Sequence, residues 1–281
     1  MKAFEMKPET DIAWCPGCGN FNIRNALIEA LQEMDIPQTK LVLSSGIGQA
    51  AKMPQYINSS YFNGLHGRGL PTAVAIKAAN PELVVIAEGG DGDMYGEGGN
   101  HFIHNIRRNP DITHIVHNNM VYGLTKGQAS PTSQREFKTP IQISGVTNEP
   151  FNPLAVAIAL GATFVARAFS GDMVQMKEIL KRAMLHKGYA LIDVFQPCVT
   201  YNKVNNFMWY KKNSYYVEDD YDPTRKDKAM ELVMETDRYA MGVLYEEIGR
   251  PTFEEQAYVY REDKTPIIRR TRDIEAINAM L

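Results

Sequence analysis

The sequence predicts an α/β fold, a mostly parallel sheet with helices on both faces. Three observations carry that reading. Short β-branched runs alternate with helical stretches along most of the chain. Leu83-Val-Val-Ile-Ala is a continuous apolar run, as expected of a strand covered on both sides. The glycine-rich stretch Gly89-Gly-Asp-Gly-Asp follows it directly, where a strand of such a sheet turns toward its helix.

Taken in order, Asn20 to Met34 reads as a helix. Asn20 is placed to cap it, and Phe21, Ile23, Ala26, Leu27, Ala30 and Leu31 form its apolar face. Leu41-Val-Leu-Ser is a short strand ending in the turn Ser45-Gly-Ile-Gly. Pro71 to Ala79 reads as helix with proline in its first turn. After the buried strand come a helix from about Gly98 to Arg108 and the strand Thr113-His-Ile-Val-His-Asn. Pro153 to Leu160 is helical, Thr163-Phe-Val-Ala-Arg a strand, Asp172 to His186 a helix and Ala190-Leu-Ile-Asp-Val-Phe a strand. From about Asn205 tyrosines and charges dominate, followed by an expected helix from Pro223 to about Glu247. We expect residues 1–204 to form the core domain, and 205–281 an arm that packs on it or on a partner subunit.

Composition narrows the function classes. The chain has 281 residues, 44% hydrophobic and 22% charged, an ordinary balance for a domain with a full core. A net charge of −3 gives no argument for a nucleic-acid or anionic-membrane partner. The first residues, MKAFEMKPETDIAW, contain no apolar signal segment. No window offers the ~18 consecutive apolar residues of a spanning helix. The three cysteines, Cys15, Cys18 and Cys198, are an odd number, which argues against a disulfide framework. A cytoplasmic location is the expectation.

The chemistry concentrates in loops. Gly90-Asp91-Gly92-Asp93 follows a strand and precedes a helix, where glycines admit a ligand to the backbone and helix amides suit phosphate. Alone, such a stretch is equally compatible with an acidic turn. Asn118-Asn119 ends the next strand, and Gly90 to Asn119 spans 30 residues, the length of one strand–helix–strand unit. The two loops therefore fall side by side at one sheet edge. Asp91 and the amide oxygen of Asn119 are suited to share a hard cation such as Mg²⁺. The carbonyl of Val121, diphosphate oxygens and a water would complete its roughly six oxygens.

Cys15-Pro-Gly-Cys18 is a second candidate site. Taken alone, it is compatible with half a zinc site, a redox pair or half an iron–sulfur site. Only Cys198, behind Pro197, can add a third thiolate, so four-thiolate zinc is impossible within the chain. Three cysteines with one histidine remain possible.

The glycine–aspartate and paired-asparagine arrangement resembles the thiamine-diphosphate motif. Joined with Tyr122-Gly-Leu-Thr-Lys-Gly-Gln, Leu65-His-Gly-Arg, Cys15-Pro-Gly-Cys-Gly and Gln196-Pro-Cys-Val-Thr-Tyr-Asn, it resembles the β subunits of 2-oxoacid:ferredoxin oxidoreductases. The likeness runs from about Trp14 to Asn202 and more loosely to the end. It implies that Asp91, Asn119 and the Val121 carbonyl hold Mg²⁺. It implies that Gly92, Asp93, Gly123 and Leu124 line the diphosphate, with Ile47, Gly48, Gln49 and His66 along the cofactor. Without the likeness, His66 would read as a loop histidine capping its own backbone.

The family pattern also implies a [4Fe–4S] cluster on the C-x-x-C pair, on a cysteine in the Ser-Gly-Ile-Gly-Cys turn and on the Pro-Cys cysteine. Three positions match, as Cys15, Cys18 and Cys198, but the fourth is Gln49. Three outcomes follow from that departure: a non-cysteine ligand on one iron, a [3Fe–4S] form, or a weakly held cluster. The favoured expectation is a [4Fe–4S] cluster held by three cysteines, its fourth ligand not a cysteine of this chain.

Thiamine chemistry resides in the cofactor, which the protein positions and tunes. The activating glutamate belongs to a pyrimidine-binding domain, which the resemblance assigns to an α subunit. Ferredoxin and coenzyme A are the other implied partners. Lys126 is the selectivity clue: its ammonium can pair with the distal carboxylate of 2-oxoglutarate or with the shared 2-oxoacid carboxylate. Its alternative is a solvated loop lysine. Two other functions are compatible with these residues. One is a non-oxidative oxoacid decarboxylase half, distinguished by lack of iron. The other is a non-catalytic metal-binding scaffold, distinguished by lack of thiamine diphosphate binding.

Overall fold

The computed structural model describes residues 3–280. In chain order the elements are α1 (Asn20–Glu33), β1 (Leu41–Ser45), β2 (Ser60–Asn63), α2 (Gly69–Ala79), β3 (Val84–Gly90), α3 (Gly99–Arg108) and β4 (Ile112–Asn118). There follow α4 (Pro153–Ala159), β5 (Phe164–Phe169), α5 (Met173–Leu185), β6 (Tyr189–Phe195), α6 (Phe207–Asn213), β7 (Ser214–Tyr216), α7 (Lys226–Val233) and β8 (Tyr239–Glu246). The eight strands form one sheet in the order β2-β1-β3-β4-β6-β5-β8-β7. Every neighbouring pair is parallel except β5 with β8.

Apolar side chains leave the sheet on both faces, as the continuous runs require. On one face Leu41, Leu43, Ile86, Ile115, Ile192 and Val194 pack under α1 and α5, which contribute Ile23, Leu27, Leu31, Met176 and Leu180. On the other face Val85, Ala87, Val116, Val165 and Leu191 pack under α2, α3, α4 and α7. Each fully buried valine, leucine, isoleucine or methionine among them contributes ~1.5–3 kcal/mol. Among the described residues, no helix is long and apolar enough to cross a membrane.

Two expectations require correction. Gly19, not Asn20, occupies the cap position of α1, and among the described residues no side chain caps that end. Asn20 is the first helical residue, and its Oδ1 lies 2.9 Å from Nδ1 of the buried His117. A buried imidazole needs a polar partner, and that demand outweighs the capping preference. The helix expected over 223–247 ends at Val233. Tyr239–Glu246 instead pairs antiparallel with β5, and Gly242 at φ 121° is compatible with that irregular strand. The described residues after 204 thus add β7 and β8 to the same sheet. Further on, the Tyr260 hydroxyl donates to the carbonyls of Ala78 and Ala79 at the end of α2.

The strand order places the site. From β1 the chain passes outward to β2 and then returns across to β3 on the other side. The loops after β1 and β3 therefore diverge from adjacent strand ends, leaving a crevice of the kind that binds ligands in such sheets. The loops after β4 and β6 open at the same edge, since Asn118 and Phe195 are register partners at the ends of their strands.

Candidate active site at the carboxyl edge of the sheet

Asp91 leaves the end of β3 and is 1% exposed. Ser130 Oγ donates to its Oδ2 at 2.5 Å, and Thr132 Oγ1 lies 2.6 Å from the same oxygen. Thr132 Oγ1 is also 2.9 Å from Asn118 Oδ1, so one hydroxyl links the loops after β3 and β4. Burial pushes the Asp91 carboxyl up to about 6 despite those hydroxyl groups. A cation beside it would reverse that shift.

Behind Asn118 stands Asp193, the one acidic residue in the apolar run of β6. Asn118 Nδ2 donates to both of its oxygens at 3.1 and 3.2 Å, and the Tyr95 hydroxyl donates at 2.9 Å. The buried guanidinium of Arg167 lies 4.0 Å away, between the rings of Phe195 and Tyr239. Burial raises the Asp193 carboxyl, while Arg167, Tyr95 and Asn118 oppose the rise.

Asp93 ties the loops together. Its Oδ1 accepts from the backbone amides of Ile47 at 3.1 Å and Gly67 at 2.7 Å. It thereby fixes the turn after β1 and the loop that carries His66. The Nδ1 of His66 lies 3.2 Å from Glu97 Oε2 and 3.7 Å from Asp93 Oδ1. Between them a widened helical turn, Gly92–Glu97, leads toward α3. Tyr122 lies against Gly92 so closely that any added Cβ would come within 2.1 Å of its ring, so position 92 must be glycine. At Gly48, φ is +141° and no described residue stands within 4 Å of where a Cβ would be. The turn after β1 thus presents bare backbone to open space.

Asn119 takes different partners from Asn118. Its Oδ1 accepts from the Val121 amide at 3.0 Å, and its Nδ2 donates to Gln196 Oε1 at 3.3 Å. Val121 is buried, Gly123 follows at the loop surface and Leu124 is exposed. Carboxylate, amide and carbonyl oxygens at one sheet edge form the hard donor set that suits Mg²⁺. The chemistry of the residues present fits a magnesium–diphosphate group.

Beside this corner is a cavity of about 170 Å³ lined by Cys15, Cys18, Cys198, Gln49, Asn119 and Lys126, among others. Trp14 anchors it: its Nε1 donates to the Gln49 carbonyl at 2.7 Å, and its ring packs edge-on against Phe21 and Tyr56. All three cysteines are free. Gln196 Nε2, Thr200 Oγ1 and the Tyr201 amide donate to the sulfurs of Cys18, Cys15 and Cys198 at 3.4, 3.1 and 3.3 Å. Burial pushes the Cys18 thiol up to about 11, and the other two cysteines add to the rise. Without metal it is a thiol; iron would displace the proton.

Among the described residues, no three His, Cys, Asp or Glu side chains gather tightly enough to hold a single metal ion. No described histidine lines the cysteine cavity, so a site of three cysteines and one histidine finds no support. A cluster is a different case: its thiolates bind separate irons and need not converge on one point. The cysteine set fits a cluster better than an ion.

The geometry brings the expected residues to one edge, in two neighbouring groups. Asp91, Gly92, Asp93, His66 and Ile47 form one; Cys15, Cys18, Cys198, Gln49, Asn119, Gly123, Leu124 and Lys126 form the other. Sequence reasoning missed Thr132, Ser130, Asp193, Tyr95 and Glu97. Asp193 had a signal, an acidic residue inside an apolar strand; the two hydroxyl residues, in a long irregular loop, had none.

Residues 38–194 match the family model described as "Thiamine pyrophosphate enzyme, C-terminal TPP binding domain". Residues 198–262 match the family model for the C-terminal part of the pyruvate ferredoxin oxidoreductase beta subunit. The fold and its carboxyl-edge site thus place the chain in the thiamine-diphosphate enzyme class. A 2-oxoacid:ferredoxin oxidoreductase subunit β of Saccharolobus solfataricus is 46% identical over 257 residues, covering 86% of this chain and 84% of that one. A 2-oxoglutarate synthase subunit KorB of Methanocaldococcus jannaschii is 38% identical over 188 residues, covering 67% and 70%. Within that class, the chain belongs to the β subunits of the 2-oxoacid:ferredoxin oxidoreductases. A solved 2-oxoglutarate:ferredoxin oxidoreductase from Magnetococcus marinus, with 2-oxoglutarate, coenzyme A and succinyl-CoA bound, superposes with a TM-score of 0.90. It is 36% identical, and the match covers 99% of this chain and 98% of that one.

Proposed function

We propose that this chain, with an α subunit, catalyses thiamine-dependent oxidative decarboxylation of a 2-oxoacid, 2-oxoglutarate by preference. Coenzyme A takes the acyl group and ferredoxin takes the electrons through an iron–sulfur cluster. The observation that carries the reading is the shared cavity: the three cysteines, Asn119, Gly123 and Lys126 line one space beside Asp91's corner. An electron acceptor held there would lie next to the cofactor turn. The M. marinus enzyme, with 2-oxoglutarate and succinyl-CoA bound, supports the substrate and acyl acceptor.

Asp91, Asn119 and the Val121 carbonyl would hold Mg²⁺; Gly92, Asp93, Gly123 and Leu124 would line the diphosphate. Cys15, Cys18 and Cys198 would hold the cluster. When bound, thiamine diphosphate would supply the nucleophilic carbon for chemistry at the 2-oxo group. Thr132 and Ser130 orient the Asp91 carboxylate through Oδ2. Asp93 fixes the turn at Ile47 and the His66 loop, which places the imidazole at the mouth of the site. Lys126 offers an ammonium to a substrate carboxylate.

The deciding experiment is anaerobic purification with the α subunit from the native host. The complex should reduce ferredoxin or a viologen with 2-oxoglutarate and coenzyme A, and the isolated chain should show no turnover. Turnover by the isolated chain, or decarboxylation by an iron-free complex, would replace this reading with that of a non-oxidative decarboxylase.

A further inference from the structure

Three thiolates leave one iron of a cubane without a sulfur ligand from this chain. The cavity itself indicates what takes that place. Four side-chain amides line it: those of Asn20, Gln49, Asn119 and Gln196. The Asn20 oxygen is engaged by His117, the Asn119 oxygen by the Val121 amide and the Gln196 oxygen by Asn119 Nδ2. Gln49 Oε1 is different: it is shielded from solvent and has no hydrogen-bond partner among the described residues. A buried amide oxygen without a partner destabilises the fold unless something it binds offsets the lost hydration.

The position of Gln49 is also tied to the cysteines. Trp14, adjacent to Cys15, holds the Gln49 carbonyl. On its other side, Gln49 Cγ lies 4.0 Å from where a Cβ on Gly123 would stand. The side chain is thus set between the cysteines and the turn expected at the diphosphate.

We propose that Gln49 Oε1 is the fourth ligand of the cluster, binding the iron that the three cysteines leave free. This rests on the cluster assigned above to Cys15, Cys18 and Cys198. A neutral oxygen in place of a thiolate removes a negative charge from the ligand set, which raises the potential. It is also a weaker ligand for iron than thiolate. That iron is therefore the first to leave. On oxidation, [4Fe–4S]²⁺ passes an electron to ferricyanide, and the resulting [4Fe–4S]³⁺ separates into [3Fe–4S]⁺ and Fe²⁺.

The test uses the anaerobic complex with its α subunit. Ferricyanide should produce the [3Fe–4S]⁺ paramagnetic resonance signal in the wild type. Gln49→Cys should suppress that signal and lower the midpoint potential. In ¹⁷O-enriched water, the unique iron of Gln49→Ala should show coupling to solvent oxygen, whereas wild type and Gln49→Glu should not. Solvent coupling in the wild type equal to that of Gln49→Ala would overturn the assignment and make water the ligand. A wild-type cluster that resists ferricyanide as Gln49→Cys does would overturn it too. Loss of all iron from wild type and Gln49→Cys alike would instead remove the cluster, and with it the oxidoreductase reading.

Discussion

The corner around Asp91 and the cavity around the cysteines open at the same sheet edge, yet they are built in opposite ways. At the corner, a carboxylate that is 1% exposed receives two hydroxyl groups, and the asparagine beside it is braced by Asp193, Tyr95 and Arg167. In the cavity, Cys15 is exposed, Cys18 is held up as a thiol and Gln49 Oε1 has no partner among the described residues. One region is shaped by the chain before anything binds. The other keeps one amide oxygen, that of Gln49, whose need is met only by what enters. The difference implies separable failures: changes at Asp91 and its brace should alter cofactor binding and stability, and changes at the three cysteines and Gln49 should alter redox behaviour with the fold intact.

The severest break is expected at the corner. Asp91→Ala in the complex should abolish Mg²⁺-dependent thiamine diphosphate binding by calorimetry, beyond the ~100-fold typical of losing an outer partner. Asn119→Ala, which removes a neutral oxygen, should weaken it less. Unchanged affinity in the Asp91 variant would remove the metal assignment.

Next comes the brace. Asp193→Ala would leave the buried Arg167 guanidinium without its counter-charge, a change that costs ~3–5 kcal/mol when a buried pair is broken. Urea unfolding should report it, and thiamine diphosphate affinity should fall as Asn118 loses its anchor. A loss below ~1 kcal/mol would mean that the 4.0 Å contact carries little of the stability.

Glu88 sharpens the contrast from within the sheet. It is fully buried on β3, neither oxygen has a partner among the described residues, and burial pushes its carboxyl from 4.5 up to about 8. The folded state holds its proton more tightly than the unfolded state. Its stability contribution is therefore complete below about 4.5 and is lost progressively as the pH rises through about 8. At pH 7 the loss is ~3 kcal/mol at 1.36 kcal/mol per unit. Glu88→Gln should therefore be more stable than the wild type at pH 8 and nearly equal to it at pH 4.5. Parallel wild-type and variant denaturation curves across that range would show that Glu88 has a partner in solution.

What the sequence disclosed divides along the same physical lines. Asp91, Gly92 and Asn119 were legible because short contiguous motifs at a strand–helix–strand spacing fix a sheet edge. The parallel strands were legible because burial on both faces leaves continuous apolar runs. Thr132 and Ser130 were not, because the chain between β4 and α4 has no period to read and its contacts are tertiary. Strand β2 was missed because all four of its residues are exposed, with Tyr61 and Phe62 at an outer edge, so no inside-outside alternation marks it. Strand β8 was read as helix because apolar residues continue past Val233, and only pairing with β5 decides between the periods. The unmatched oxygen of Gln49 was visible only as a departure from a family pattern; its isolation is a property of the folded cavity.

The smallest expected effect lies at the rim of the cavity, at Lys126. Its backbone is fixed in a turn with φ 74°, closed by the bridge between Tyr122 and Gln128 and by the Lys126 amide donating to Gly123. The side chain itself is exposed. A rigid base with a solvated ammonium suits a carboxylate that arrives with the substrate, but such an exposed pair is worth only ~1 kcal/mol. Lys126→Ala should therefore raise KM for 2-oxoglutarate about five-fold, as ~1 kcal/mol implies, and leave KM for pyruvate unchanged. Lys126→Arg, which keeps the charge, should recover most of the loss. A larger rise would mean that the α subunit seals the pair from water, where a charge pair is worth several kcal/mol. An equal rise for both substrates would assign Lys126 to the carboxylate they share, and selectivity would then have to come from the partner subunit's side of the site.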